Sequence, residues 1–243
     1  ALAPRLDDTS SEDFQGGIHY SKGQLFLEYL ENAFGREVFD AFLTSYFQEF
    51  AFGTITTEQF LDYLELKLLS QEGSPLTREQ AEQWTYHPGL PDDAPIPSSS
   101  NLDAAAAMAA AWAEDEVELA EIPVGDWSPQ ATIHFINSLP ANLSEDKLGE
   151  LDTGWELSET SNAEIGRTWF IQVATRRYTS AYEQLEVHLN RFGRGRLIAP
   201  VYGALAANGE DRELALEMFE RARGAYHPIT VAWIEAGFER AAD

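Results

Sequence analysis

Apolar side chains in the first third of the chain recur every three or four positions. Val38, Phe39, Phe42, Leu43, Tyr46, Phe47 and Phe50 fall on one stripe of a helix with 3.6 residues per turn. Thr56 followed by Gln59 has the form of a capping box, in which the two side chains satisfy free N–H groups at a helix start. Phe60, Leu61, Leu64 and Leu68 continue that helix at helical spacing. Thr77 with Gln80 repeats the signal and predicts a short helix running toward Trp84, while Gly53 and Gly73 stand between the segments as stops.

The pattern then breaks. Residues 88–100 read PGLPDDAPIPSSS and hold four of the eleven prolines. Each proline lacks a backbone donor and biases its predecessor away from the helix, so this stretch is predicted to be an extended linker. Helical spacing resumes with an alanine-rich run after Asn101, and Ser128–Pro129 supplies an N-cap and first-turn pair. Ile165, Trp169, Phe170 and Val173 mark the next helix, and Leu185 and Leu189 mark one that Gly193 could end. Pro200 is expected to open a helix closed by Asn208–Gly209. Leu214, Met218 and Phe219 mark the penultimate helix, and Pro228 opens a last one with Val231, Trp233 and Ile234. No strand signal stands out. The expectation is an all-α chain whose second part is an antiparallel array or α-solenoid, without a sequence repeat of fixed period.

Composition adds that 44% of residues are hydrophobic and 12% aromatic, enough to form a core. No apolar run approaches the roughly 18 residues that a membrane span needs, so no membrane is expected as a partner. The net charge of −25 is unevenly placed: 31 acidic residues face 6 Lys and Arg up to Gly166, and 10 face 10 beyond it. Such a surface repels phosphate backbones, which argues against nucleic acid. The absence of cysteine excludes disulfides and thiolate metal sites. No signal peptide is visible, and a cytoplasmic location is expected. The chain begins with Ala1 rather than Met, which leads us to expect further sequence upstream.

Little chemistry is legible in isolated residues. His19, His87, His134, His188 and His227 show no three-to-five spacing and no HExxH occurs, so a complete zinc site is not encoded. Each histidine reads as a surface or capping group before a ligand. Arg191, Arg194 and Arg196 cluster around two glycines. They suit a bound carboxylate, or equally a helix C-terminus, whose dipole favours cations. Tyr20 in GGIHYSKG, placed just before the first helix, could donate a hydrogen bond in a site or simply pack.

Five stretches taken together resemble the leukotriene A(4) hydrolase and aminopeptidase B branch of the gluzincin aminopeptidases. They are HYSKGQLFLEYLE from His19, FLTSYFQEFAFGTITTEQFLDYL from Phe42, WTYHPGLPDDAPIP from Trp84, SNAEIGRTW from Ser161 and GRGRLIAPVY from Gly193. They occur in the family's order and cover nearly the whole chain. The resemblance implies the helical end of a thermolysin-like catalytic lobe over residues 1–87, a proline-rich linker over 88–100, and a C-terminal α-α superhelix of armadillo/HEAT-like kind over 101–243. It implies that the zinc helix belongs to an upstream N-terminal part of the same enzyme, so that this chain alone binds no zinc and cleaves nothing.

The resemblance also assigns roles. Tyr20 matches the tyrosine that hydrogen-bonds the oxyanion of the tetrahedral intermediate. Arg194 and Arg196 match the basic pair that grips the terminal carboxylate of a short peptide substrate. Glu12 stands where the family has an aspartate, and an acidic group there could position a basic side chain or amine. Gln15 stands where the family has a second tyrosine associated with a lipid epoxide, so leukotriene chemistry is not implied. The competing function class is a helical protein–protein scaffold without catalysis, favoured for the isolated chain by the missing HExxH.

Overall fold

The structure, a computed structural model, describes residues 1–3 and 18–241. Glu12, Asp13 and Gln15 lie outside the described residues. The chain divides into two compact units, Ala1–Ser98 and Ser99–Asp243, and among the described residues both are helical with no strand. The all-α expectation holds. No helix is long and apolar enough to cross a membrane among the described residues.

In the first unit, α1 (Ile18–Phe34) and α2 (Arg36–Glu49) meet at Gly35, whose φ of +81° disfavours any side chain. The helix α3 (Thr57–Leu64) starts on the expected box: Gln59 N donates to Thr56 Oγ1 at 3.2 Å, and Thr56 N donates to Gln59 Oε1 at 2.8 Å. The second box opens α4 (Arg78–Tyr86) in the same way, at 3.3 and 2.9 Å. Beyond α3 the helix widens into a π-turn over Glu65–Leu69, where Ser70 N bonds back to Glu65 O at 2.9 Å. The widened turn leaves the adjacent Leu68 and Leu69 both buried. At the centre Trp84 is fully buried, stacked on Phe26 at 5.6 Å and tilted against Tyr29 at 5.4 Å. Residues 88–98 carry no helix, and part of this stretch is laid on the first unit: Tyr29 Oη donates to Asp93 Oδ2 at 2.7 Å, and Ala94 packs on the core.

The second unit runs through α5 (Ser100–Ala113), α6 (Pro129–Asn137), α7 (Glu145–Trp155) and α8 (Ala163–Arg176). It continues through α9 (Tyr182–Arg191), α10 (Gly195–Ala207), α11 (Arg212–Ala222) and α12 (Pro228–Arg240). One row of helices packs in the order α5, α6, α8, α10, α12, and α9 and α11 form a second layer against α8 and α10. Ser99, Ser128, Ser144 and Asn162 cap their helices through side-chain oxygens, and Pro129 and Pro228 occupy first-turn positions. Helical spacing had not indicated α7, because only Leu148 and Leu151 of its side chains are buried.

Pro200 does not open a helix. It is the sixth residue of α10, which starts at Gly195. The proline's missing N–H is outweighed by the apolar face around it, since Ile198, Val201, Tyr202 and Leu205 are all buried.

Candidate functional site

Tyr20 lies inside the first turn of α1, not ahead of it. Its side chain is 86% exposed, and its hydroxyl has no hydrogen-bond partner among the described residues. It stands at an open hollow of about 940 Å³ that runs along α1 past Gly23, Gln24, Leu27 and Glu31. A packing tyrosine buries its ring. This one turns its ring outward from the helix into the hollow.

The arginines are separated by two helix ends. Arg191 is the last residue of α9, where the helix-end reading fits. Arg194 is the N-cap residue of α10 and Arg196 lies in its first turn, so the C-terminal dipole argument does not apply to either. A cation at a helix N-terminus is disfavoured by about 0.3–1 kcal/mol. For Arg196 this is offset by Glu164 on α8: Nη1 donates to Oε2 at 3.3 Å and Nη2 to Oε1. Glu164 also lies 3.5 Å from Arg167 Nε, so one carboxylate serves two guanidiniums. Arg194 is exposed and unpaired among the described residues. The turn therefore presents one free guanidinium beside unpaired helix N–H groups and one that is already committed.

This turn is held from behind. Thr230 Oγ1 on α12 donates to Gly193 O at 3.2 Å. A Cβ on Gly195 would sit 2.5 Å from the Trp233 ring, so only glycine lets α10 start this close to α12. Tyr226 Oη donates to Leu189 O at 2.8 Å, and Tyr202 Oη lies 3.1 Å from Tyr226 Oη, joining α9 to α10 from within the core. Burial, and then the hydrogen bond to Tyr226, push the Tyr202 hydroxyl well above the ordinary tyrosine range, so both phenols stay protonated.

The reading of each histidine as a surface or capping group holds for His227 and fails for His188. His227 caps α12, with Nδ1 accepting from Ile229 N at 3.2 Å. His188 is in the core. Among the described residues no three His, Asp or Glu side chains come together to hold a metal ion. These residues do not fit zinc, and the chemistry they offer is that of hydrogen-bond donors and guanidinium charge. Sequence reasoning missed Glu164, which lies in a quoted stretch but 32 residues from its partner, and Lys22, whose burial no local pattern signals.

Two family models match the chain in series. The Peptidase family M1 domain matches residues 6–79, which include Tyr20. The model described as Leukotriene A4 hydrolase, C-terminal, matches residues 127–238, which include Arg194 and Arg196. The chain is thus similar to M1 peptidases over its first part and to the C-terminal domain of leukotriene A4 hydrolase over its second. Leucine aminopeptidase 2 of Lodderomyces elongisporus is 29% identical to this chain over 255 residues, covering 96% of it and 39% of the relative. Leucine aminopeptidase 2 of Kluyveromyces lactis is 31% identical over 249 residues, covering 92% and 37%. The solved structure of yeast LTA4 hydrolase in complex with Bestatin matches with a TM-score of 0.82 at 26% identity, covering 98% of this chain and 42% of that one. The chain thus spans about two-fifths of the length of these relatives.

Proposed function

We propose that this chain is part of a zinc aminopeptidase that removes N-terminal residues from short peptides. In that reading Tyr20 donates a hydrogen bond to the oxyanion that forms when the scissile carbonyl becomes tetrahedral. Such a donor strengthens as charge develops and so lowers the barrier more than it tightens substrate binding. The turn at Arg194 and Arg196 receives the peptide's free carboxylate. Arg194 makes the direct contact, and Arg196, held by Glu164, contributes field. The zinc ligands would lie in the part of the relatives that this chain does not span. Exposed Phe47, Phe52 and Leu66 on the first unit would pack against that part of the same enzyme. The chain alone would neither hold zinc nor cleave.

The observation that carries the reading is Tyr20 itself: a Tyr-x-Lys-Gly tyrosine on a helix, facing outward over a hollow, with no hydrogen-bond partner for its hydroxyl among the described residues. The test is Tyr20→Phe in the protein expressed at the full length of its relatives. The expected result is a kcat lower by about 100-fold with KM within about twofold. An unchanged kcat in a folded variant would return Tyr20 to packing. A wild type that released no aminoacyl fluorophore in a chelator-sensitive way would favour the scaffold instead.

A further inference from the structure

Two charged side chains described in the structure are buried, and they are treated differently. Asp211 is met by Arg177 and Tyr182. Lys22 is 4% exposed and has no carboxylate partner among the described residues, in a chain with 41 acidic residues. Its Nζ donates to the main-chain carbonyl of His87 at 2.7 Å. Burial pushes its pKa down. An apolar residue would be cheaper to bury there, so Lys22 is costly for stability alone.

What the ammonium holds is the start of α1. Lys22, Phe26 and Leu30 follow one another at four-residue steps and are all buried. Phe26 is stacked on Trp84 of α4. Lys22 is the member of this stripe nearest the helix start, and Tyr20 lies two residues before it, turned to the other side. The anchor is itself fixed. His87 is the C-cap of α4, whose carbonyls attract a cation, and Leu2 N and Ala3 N both donate to Thr85 O, at 2.8 and 3.0 Å. Packing alone would let the first turn roll or fray, whereas a directional bond to a capped helix end fixes it.

We infer that Lys22 is a positioning residue: its bond to the His87 carbonyl sets the roll of the first turn of α1 and thereby the direction of the Tyr20 hydroxyl. The inference rests on the role proposed above for Tyr20. In the 243-residue chain, Lys22→Met is expected to raise amide hydrogen exchange at residues 20–26 by about 10-fold or more while α2 and α3 keep their protection. In the full-length protein it is expected to lower kcat by about 10-fold or more at nearly constant KM, because a small misplacement of a donor is costly. Lys22→Arg, which keeps a donor, should recover most of that loss. In a Tyr20→Phe background, Lys22→Met should cost nothing further, since both changes remove the same hydrogen bond. Unaltered exchange, a lower Tm with unchanged kcat, or losses that multiply in the double variant would each overturn the inference while leaving Tyr20 in place. A silent Tyr20→Phe would instead remove the role of Tyr20 and this inference with it.

Discussion

His188 gives the second unit an acid sensitivity that can be worked out from its surroundings. The ring is 5% exposed and lies between Phe170 at 4.9 Å and Phe192 at 4.8 Å. On its flank a Cβ at Gly166 would stand 2.9 Å from ring Cε1 and Nδ1, so the imidazole occupies the space a side chain there would need. Its Nε2 is buried without a hydrogen-bond partner among the described residues. Burial first, and the charge of Arg191 second, lower the pKa from the ordinary 6.5 to about 4. Above the ordinary value the ring is neutral folded or unfolded, and the stability is complete. As pH falls from 6.5 toward 4 the unfolded chain takes up a proton that the folded one refuses, so stability declines by about 1.4 kcal/mol per pH unit. The loss reaches roughly 3 kcal/mol by pH 4 and then stops growing. His188→Leu removes the titrating group and the orphaned nitrogen together. Urea unfolding of both proteins from neutral pH to pH 4 isolates the effect, because the many carboxylates titrate alike in the two. The variant should gain roughly 3 kcal/mol on the wild type over that interval. Stability curves that stay parallel would show that the folded protein accepts the proton, and the burial argument would be wrong.

Other perturbations reach the remaining features. Gly195→Ala should lower stability by about 1–3 kcal/mol, read as a drop in Tm, because its Cβ meets the Trp233 ring. Asp211→Ala should cost about 1–3 kcal/mol in denaturant unfolding, since it strands the Tyr182 hydroxyl, now bound at 2.7 Å, while Arg177 keeps Glu210. In the full-length protein, Arg194→Ala should abolish a preference of about 10- to 150-fold in kcat/KM for a free tripeptide over its amide. Arg196→Ala should reduce that preference less, because Glu164 already holds its guanidinium; equal losses would contradict the division of labour between the two.

What could be read from the sequence was what short-range physics encodes. The two capping boxes need only a hydroxyl and an amide three residues apart, and both form as expected. The helix started by Ser128–Pro129 and the one started by Pro228 follow from proline's fixed φ, which suits a first turn. Pro200 was misjudged for the same reason: the local rule prefers a helix start, and only the buried face of α10 shows that packing overrides it. For the site, the motif pointed to Tyr20 and to the arginines, but the surroundings of each depend on distant partners. The Arg196–Glu164 pair spans 32 residues, and the Lys22–His87 bond spans 65. Nothing local distinguishes Lys22 from an exposed lysine, or tells Arg194, which is unpaired, from Arg196, which is not.

Pro200 has a mechanical consequence for the turn it follows. With no N–H to offer, it leaves the Arg196 carbonyl without its usual partner one turn on. The opening turn of α10 is thus spliced to the rest of the helix by a weakened seam, and the helix's own stiffness does not fully carry through to Arg194. Alignment must come from outside: from Thr230 on the Gly193 carbonyl and from the Trp233 ring against Gly195. The last helix of the chain serves as a splint for a turn more than thirty residues upstream. Loosening α12 would leave most of α10 intact while its leading edge drifts.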